Sequence, residues 1–336
     1  MKILVVRFSS LGDCVLLCPL VEHLKRAGAE EVVVLTKRAY AELFAAATGA
    51  DRVLAIGQRD STLALWRLAR EFRGRDFVVV DAHASIRSRM AGWAAGRVDA
   101  RIAKHTRARL DLIVWKKRST LPTMLERYAR LARAIGVDTP ALFPGGITLP
   151  AAARSAAAAA MGEGPFVAVA PGSRWTAKRW PGFAALCEEL STVQHRRILL
   201  VGDARDAADA RPIAAALGPR CIDLTGRASL MTTAAHIARC ETFVGNDSGL
   251  MHLAEAFAVP VVGLFGPTVE EFGYYPALPA SRTIERRLAC RPCSRNGSRP
   301  CPRGTGECLS AIHPGTVAEA VATLSLAGAP RRVVLE

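Results

Sequence analysis

A chain of 336 residues, half of them apolar and 22% charged, is long enough for two ordinary domains and too apolar to be disordered. No apolar run reaches the ~18–20 residues needed to cross a bilayer. Arg7 interrupts the opening "MKILVVR" after four apolar residues, which argues against a secretory leader and predicts a cytosolic start. The formal net charge is +15; residues 1–150 carry 25 Lys/Arg against 14 Asp/Glu, leaving +11 there and +4 in the remainder. An excess of this size predicts an anionic partner (nucleic acid, a phospholipid surface or a phosphorylated substrate) unless it serves solubility alone.

In the first half, short β-branched runs alternate with longer helical patterns. "KILVV" leads into a helix over 12–27, "EVVVLT" (31–36) into a helix near 38–48, and "RVLAI" (52–56) and "DFVVVD" (76–81) follow, with a helical stretch toward 96. Runs of this length, bounded by turns and alternating with helices, predict parallel strands covered on both faces. "AAARSAAAAAMGEGP" (151–165) has little but methyl groups to pack and closes on Gly-Glu-Gly-Pro. The interdomain linker is placed there, with a short Ala-rich helix on its near side. The rhythm restarts with "FVAVAPGS" and continues through "RILLVGD" (197–203), "CIDLTG" (221–226), "TFVGND" (242–247) and "VPVVGLFGP" (259–267). The expected architecture is α/β: two Rossmann-like doubly wound parallel-sheet domains, over residues 1–150 and 166–336.

Such sheets bind ligands beyond the carboxyl ends of their strands, so three loops hold the candidate chemistry. In "RFSSLGD", Ser10, Gly12 and Asp13 fall between the first strand and the first helix. A helix cap accounts for Ser and Asp there; a carboxylate at a strand's carboxyl end equally suits a general base. Gly12 stands alone, without the G-x-G-x-x-G of a dinucleotide site. In "APGSRWTAKRWPGF" (170–183), Pro181 suits the first turn of a helix, which leaves Lys178 in the loop. Ser173, Thr176 and Lys178 are candidate phosphate ligands, Lys as the point charge; the competing account is a solvated loop. In "TFVGNDSGLMHLAEAF", a strand runs through "NDSG" into a helix. The amides around Ser248, Gly249 and Leu250 suit a diphosphate at the positive end of that helix. Asp247 suits sugar hydroxyls, and His252 falls near the first turn. Capping by Asp247 or Ser248 is the competing account.

"CRPCSRNGSRPCPRGTGEC" spaces Cys290, Cys293, Cys301 and Cys308 as C-x2-C-x7-C-x6-C. Structural zinc, disulfide or redox behaviour, and reduced thiols in an ordered loop all fit that spacing.

In this order, "SSLGD", "PGSRWTAKRWP" and "NDSGLMHLAEAFAVPVVGLFGPT" resemble motifs of the heptosyltransferases of lipopolysaccharide core synthesis, glycosyltransferase family 9. The resemblance implies a GT-B fold, two Rossmann-like domains facing a cleft, with the C-terminal helix able to return toward the first domain. It implies inverting, metal-independent transfer of a heptose or related sugar from an ADP-sugar, with no cofactor beyond that donor. Asp13 would be the base and Lys178 the cation on the donor diphosphate, with Ser173 and Thr176 beside it. Asp247, Ser248, Gly249, Leu250 and His252 would hold heptose and diphosphate. "LTGRASLMTT" is similar to the adenine-contacting stretch, which adds Leu230 and Met231. The acceptor would be the lipid A–Kdo or core oligosaccharide, met at the inner face of the cytoplasmic membrane by a peripheral, monomeric enzyme. Ser10 and Gly12, and the basic residues Lys116, Lys117 and Arg118 of "RIAKHTRARLDLIVWKKRST" (101–120), are the acceptor candidates; a strand with solvated flanks is the alternative for that segment. The absence of any Asp-x-Asp fits departure of the diphosphate without a metal. Nucleic-acid binding lacks a recognisable module, and a sugar-nucleotide binder without turnover is the other alternative.

Overall fold

The structure is a computed structural model and describes residues 1–57, 59–324 and 333–335. It divides into two compact units: Met1–His105 with Pro122–Thr148, and Thr106–Leu121 with Leu149–Glu336.

Unit 1 is built on β1 (Lys2–Val6), β2 (Glu31–Lys37), β3 (Arg52–Ile56), β4 (Phe77–Asp81) and β5 (Ala100–Arg101), ordered β3-β2-β1-β4-β5 with every pair parallel. Ile3, Leu4, Val5 and Val6 are fully buried. That is why the central strand reads as an unbroken apolar run: helices cover both faces. The unit's helices are α1 (Leu11–Arg26), α2 (Ala41–Ala45), α3 (Thr62–Arg70) and α4 (Ile86–Ala94). The next helix, α5 (Thr106–Trp115), belongs to unit 2, and α6 (Met124–Ala134) returns to unit 1. Tyr128 of α6 is fully buried and donates its hydroxyl to the Asp13 carbonyl at 3.0 Å, fixing α6 against the first turn of α1.

Unit 2 opens with α7 (Ala151–Met161), β6 (Phe166–Ala170), α8 (Phe183–Thr192), β7 (Arg197–Leu200), α9 (Ala207–Leu217), β8 (Cys221–Asp223) and α10 (Leu230–Ile237). It continues through β9 (Thr242–Asn246), α11 (Gly249–Ala256), β10 (Val261–Phe265), β11 (Arg282–Arg286), α12 (Glu307–Ser310), α13 (Pro314–Leu324) and β12 (Val333–Leu335). Its strands run in the order β12-β11-β10-β9-β6-β7-β8, again parallel throughout. Phe243, Val244, Val261 and Val262 are fully buried, the same two-sided cover as in unit 1.

Four features stand beside the sequence expectations. The segment expected as a linker with a short Ala-rich helix carries that helix, α7, which packs on α10 and buries Ala157 and Met161. Alanine is the strongest helix former, and a face of methyl groups is enough to lie close against a neighbour. Helix α13 packs within its own unit, placing Val317, Ala318 and Val321 in one core with Leu186 and Leu190 of α8. Residues 106–121 cluster with unit 2, not with the first half, and Thr106–Trp115 form helix α5 where a strand was the alternative reading. Leu112 of α5 is 1% exposed in an apolar cluster with Val269 and Phe272. Arg109 donates to the Phe272 carbonyl at 3.0 Å, its guanidinium 5.7 Å from the Phe272 ring centroid. That exchange moves four net positive charges, so the excess is +7 in unit 1 and +8 in unit 2. The asymmetry read from the first 150 residues disappears.

Candidate functional site

In unit 1, β1 has β2 on one side and β4 on the other, so the sheet's order reverses beside it, where doubly wound sheets place their ligand crevice. Asp13 sits there, in the first turn of α1 and 7% exposed. Its Oδ2 accepts from the Ser10 amide at 3.0 Å and the Ser10 hydroxyl at 2.7 Å, and pairs with Arg7 Nη2 at 2.7 Å. Arg7, buried at 6%, also donates to the carbonyl of Ala82, in the loop after β4. One guanidinium therefore bridges the two loops of the switch point and seats the carboxylate. His83, in the second of those loops, is pushed down to about 4 by burial and by the Arg7 charge, so its imidazole is neutral at physiological pH. Capping and a candidate catalytic role coexist at Asp13: the same oxygen closes the helix start and pairs with Arg7. Ser10 is exposed and Gly12 is buried within α1.

In unit 2 the order reverses at β6, between β9 and β7. The loops after β6, β9 and β10 leave adjacent strands and meet at one carboxyl edge. Here Lys178 of the first loop pairs with Asp247 of the second, the side chains 11% and 12% exposed. The same carboxylate oxygen, Oδ2, accepts from the Thr268 hydroxyl of the third loop at 2.7 Å. Burial alone would raise the Asp247 carboxyl; the charge and hydrogen bond of Lys178, with the Thr268 hydroxyl, outweigh it and hold the group below the usual carboxylate range. Asn246, fully buried, fixes the first two loops together. Its Nδ2 donates to the carbonyls of Pro171 and Gly172 at 3.0 and 3.1 Å, and its Oδ1 accepts from the Trp180 amide at 3.0 Å.

Helix α11 begins at Gly249 with Ser248 as its N-cap residue, and no side chain caps it. Asp247 is turned to Lys178 and Thr268, and the buried Ser248 hydroxyl oxygen has no hydrogen-bond partner among the described residues. The capping account of "NDSG" therefore does not hold here, although it does hold at Asp13. The first-turn amides of Gly249 and Leu250 have no intrahelical acceptor, and the helix dipole makes that end positive. Both residues are partly exposed.

His252 is buried further along α11, its Nδ1 3.9 Å from Glu255 Oε2 and its ring 6.3 Å from that of Tyr274. Ser173 is 5% exposed and its carbonyl accepts from Arg179 Nε at 3.0 Å, while Thr176 is exposed at the start of the turn that ends in Lys178. Leu230 is partly exposed and Met231 buried in the first turn of α10.

Lys116, Lys117 and Arg118 belong to unit 2. Lys116 follows α5 and donates to the carbonyls of Ile113, Cys290 and Pro292 at 2.9, 2.9 and 2.7 Å, using all three of its ammonium donors. Arg118 Nη1 pairs with Glu271 at 2.6 Å, and Lys117 is exposed. All three residues lie at the exposed surface of unit 2. All nine cysteines are free thiols. Among the described residues no group of three or more His, Cys, Asp or Glu is arranged to hold a metal ion.

Sequence reasoning missed Arg7, Asn246, Thr268 and Arg291. Arg7, Asn246 and Thr268 had a signal, since all three lie at or just beyond the carboxyl ends of strands read correctly. Arg291 had none beyond its place in the cysteine-rich segment.

Two parallel-sheet α/β units, each with a cation–carboxylate pair where its strand order reverses, define a protein of the GT-B kind. Residues 65–303, more than half of the chain, match glycosyltransferase family 9 (heptosyltransferase), and the chain belongs to that family. The matched region starts beyond Asp13. The chain is similar to lipooligosaccharide heptosyltransferase 2 of Haemophilus influenzae, 36% identical over 185 residues, 50% of this chain and 53% of that protein. It thus spans about half the length of this curated relative. Over nearly its full length it is similar in fold to a family 9 glycosyl transferase from Veillonella parvula, with a TM-score of 0.79 at 21% identity over 97% of both chains. The E. coli ADP-heptose LPS heptosyltransferase II gives a TM-score of 0.73 at 24% identity, over 97% of this chain and 99% of that one.

Proposed function

We propose that the protein transfers a heptose, or a closely related sugar, from an ADP-sugar to an anionic lipopolysaccharide core acceptor, with inversion and without a metal. The observation that carries this reading is the Lys178–Asp247 pair at the uncapped start of α11, in a chain of this family. A lysine already held against a carboxylate, beside free amides and an unengaged serine hydroxyl, suits a diphosphate that brings its own negative charge. Lys178 and the amides of Gly249 and Leu250 take the diphosphate, and Asp247 takes the sugar hydroxyls. Leu230 and Met231 follow β8, two strands along the sheet from β6. At about 4.8 Å per strand that is roughly 10 Å, the reach of a nucleoside beyond its diphosphate.

Asp13 accepts the proton of an acceptor hydroxyl as that oxygen attacks the anomeric carbon. The bond from that carbon to the diphosphate oxygen breaks, and the charge left on ADP is stabilised by Lys178 and the helix amides. The net charge of +15 suits an acceptor rich in phosphate and carboxylate, and a place at the inner face of the cytoplasmic membrane. No helix among the described residues is long and apolar enough to cross a membrane. The test is incubation with a panel of nucleotide sugars and truncated lipid A–Kdo acceptors, with products identified by mass. A heptose-sized increment on the acceptor from the ADP-sugar alone is expected; no increment with any donor overturns the reading.

A further inference from the structure

The donor reading makes no use of the cysteine-rich segment, yet that segment stands against the donor loops at three places. Gly297, at φ +77°, lies against the stem of Lys178: a Cβ there would fall 2.7 Å from Lys178 Cγ and 2.8 Å from Cε. Arg291, 6% exposed, donates to the Gly266 carbonyl, to the Thr268 carbonyl at 2.7 Å and to Glu285 Oε2 at 2.7 Å. Thr268 is the residue whose hydroxyl reaches Asp247. A cavity of roughly 200 Å³ then has Thr176, Ala177 and Arg179 on one side and Cys293, Cys301 and Cys308 on the other.

We propose that residues 290–308 position the donor lysine: Gly297 confines the stem of Lys178, and Arg291 holds the Thr268 loop that fixes its counter-ion. This rests on the reading that Lys178 binds the donor diphosphate. A lysine side chain is a flexible four-carbon stem with a compact charge at its tip, so an ammonium is precisely placed only when the stem is confined. Asp247 holds the tip from one end and the Gly297 backbone limits the stem along its length. Glycine leaves the stem in place, because a Cβ would take the space of Lys178 Cγ and Cε and push the stem aside, and because φ is positive. Gly297 and Arg291 are positioning residues; neither is assigned a contact with the donor. The four cysteines belong to the same element, which gives that segment a role independent of any metal.

Arg291 is engaged too deeply for its truncation to leave the fold intact, so the test falls on Gly297→Ala with Gly304→Ala as its control. Gly304 lies in the same segment at φ +71° with nothing within 4 Å of its Cβ position. Both substitutions carry the same kind of backbone strain, and only Gly297→Ala meets Lys178. Calorimetry with ADP is expected to show affinity reduced roughly tenfold by Gly297→Ala, the size of losing a hydrogen bond to a charged group, and unchanged by Gly304→Ala. Added to Lys178→Met, Gly297→Ala should cause no further loss. Equal affinity in the two alanine variants, or a full tenfold loss in the Lys178→Met background, overturns the proposal while leaving the donor reading intact. If the wild-type protein binds neither ADP nor an ADP-sugar, the donor reading fails and the proposal with it. A second readout needs no nucleotide: acylation of Lys178 by an amine-selective reagent, followed by peptide mass, should accelerate in Gly297→Ala alone.

Discussion

Each unit places a cation–carboxylate pair at the carboxyl edge of a parallel sheet, beside the strand where the order reverses, and the two pairs are arranged differently. In unit 1 the carboxylate lies inside the helix that follows β1, so Asp13 closes the helix start through Ser10 while Arg7 seats it. In unit 2 the carboxylate lies before the helix that follows β9. Asp247 therefore turns to Lys178 and Thr268, and the start of α11 has no side-chain cap. The position of the carboxylate relative to the helix start decides whether it closes that start or leaves the first-turn amides open to an anion. The strands differ as well: Asp13 follows β1, at which the order reverses, whereas Asp247 follows β9, the neighbour of the reversing strand β6.

The sharpest way to break this division is to disable each pair separately. Asp13→Ala should lower transfer by about 10³-fold, in the range of general-base catalysis, with ADP affinity unchanged by calorimetry. Lys178→Met should weaken ADP binding by one to two orders of magnitude, roughly the loss of a desolvated charge contact. If Asp13→Ala weakens ADP binding as much as Lys178→Met does, the two clusters do not have separate roles.

Stability gives the next largest effect. Lys178→Met leaves the Asp247 carboxylate buried without its cation, which should cost about 3 kcal/mol in denaturant unfolding at pH 7. Adding Asp247→Asn should recover most of it. The wild-type pair has its own pH signature. Asp247 is held below the ordinary carboxylate value, so its contribution is present above that value and is lost as the pH falls through the folded-state value.

Glu255 should show the opposite sign. It is 1% exposed and pushed up to about 7 by burial, although the amides of Leu278 and Ala277 and the Ser281 hydroxyl bond to it. The folded protein then binds the extra proton between about pH 4.5 and 7, and this group makes stability fall as pH rises through that window. Glu255→Gln should remove about 2–3 kcal/mol of that fall, measured as unfolding free energy across the window. An unchanged slope would show that Glu255 ionises normally.

The smallest effect separates the helix starts themselves. Ser229 caps α10 through the Thr232 amide at 3.2 Å, whereas Ser248 caps nothing. Ser229→Ala should cost about 1 kcal/mol and Ser248→Ala less than about 0.5 kcal/mol, with only the latter weakening ADP binding. Equal losses of stability would mean that Ser248 is a cap after all.

Much of the fold was legible because burial on both faces leaves a pattern that needs no knowledge of the partner strand. β1, β2, β4, β6, β7, β9 and β10 all read as short apolar runs. β11 did not, because "RTIER" carries charges; Glu285 is nonetheless 2% exposed, since Arg291 neutralises it. Residues 106–118 show a second limit. Their basic residues suggested a surface, and Lys116, Lys117 and Arg118 are exposed. Yet Arg109, Lys116 and Arg118 also bond to Phe272, Cys290, Pro292 and Glu271. Charge counts record how many ions a segment carries and not where each finds its partner. The candidate loops were visible as Gly, Ser and Asp at the carboxyl ends of strands.

The sequence by itself determined two successive parallel α/β sheets and the loops where their ligands belong, because periodicity and turn chemistry act over a few neighbouring residues. Tertiary structure alone decided that Lys178 faces Asp247 across 69 positions, that residues 106–121 join the second unit, and that Gly297 lies on the lysine stem. Those contacts join residues far apart in the chain. Their strength depends on the burial and geometry the folded chain creates, and a one-dimensional pattern carries neither.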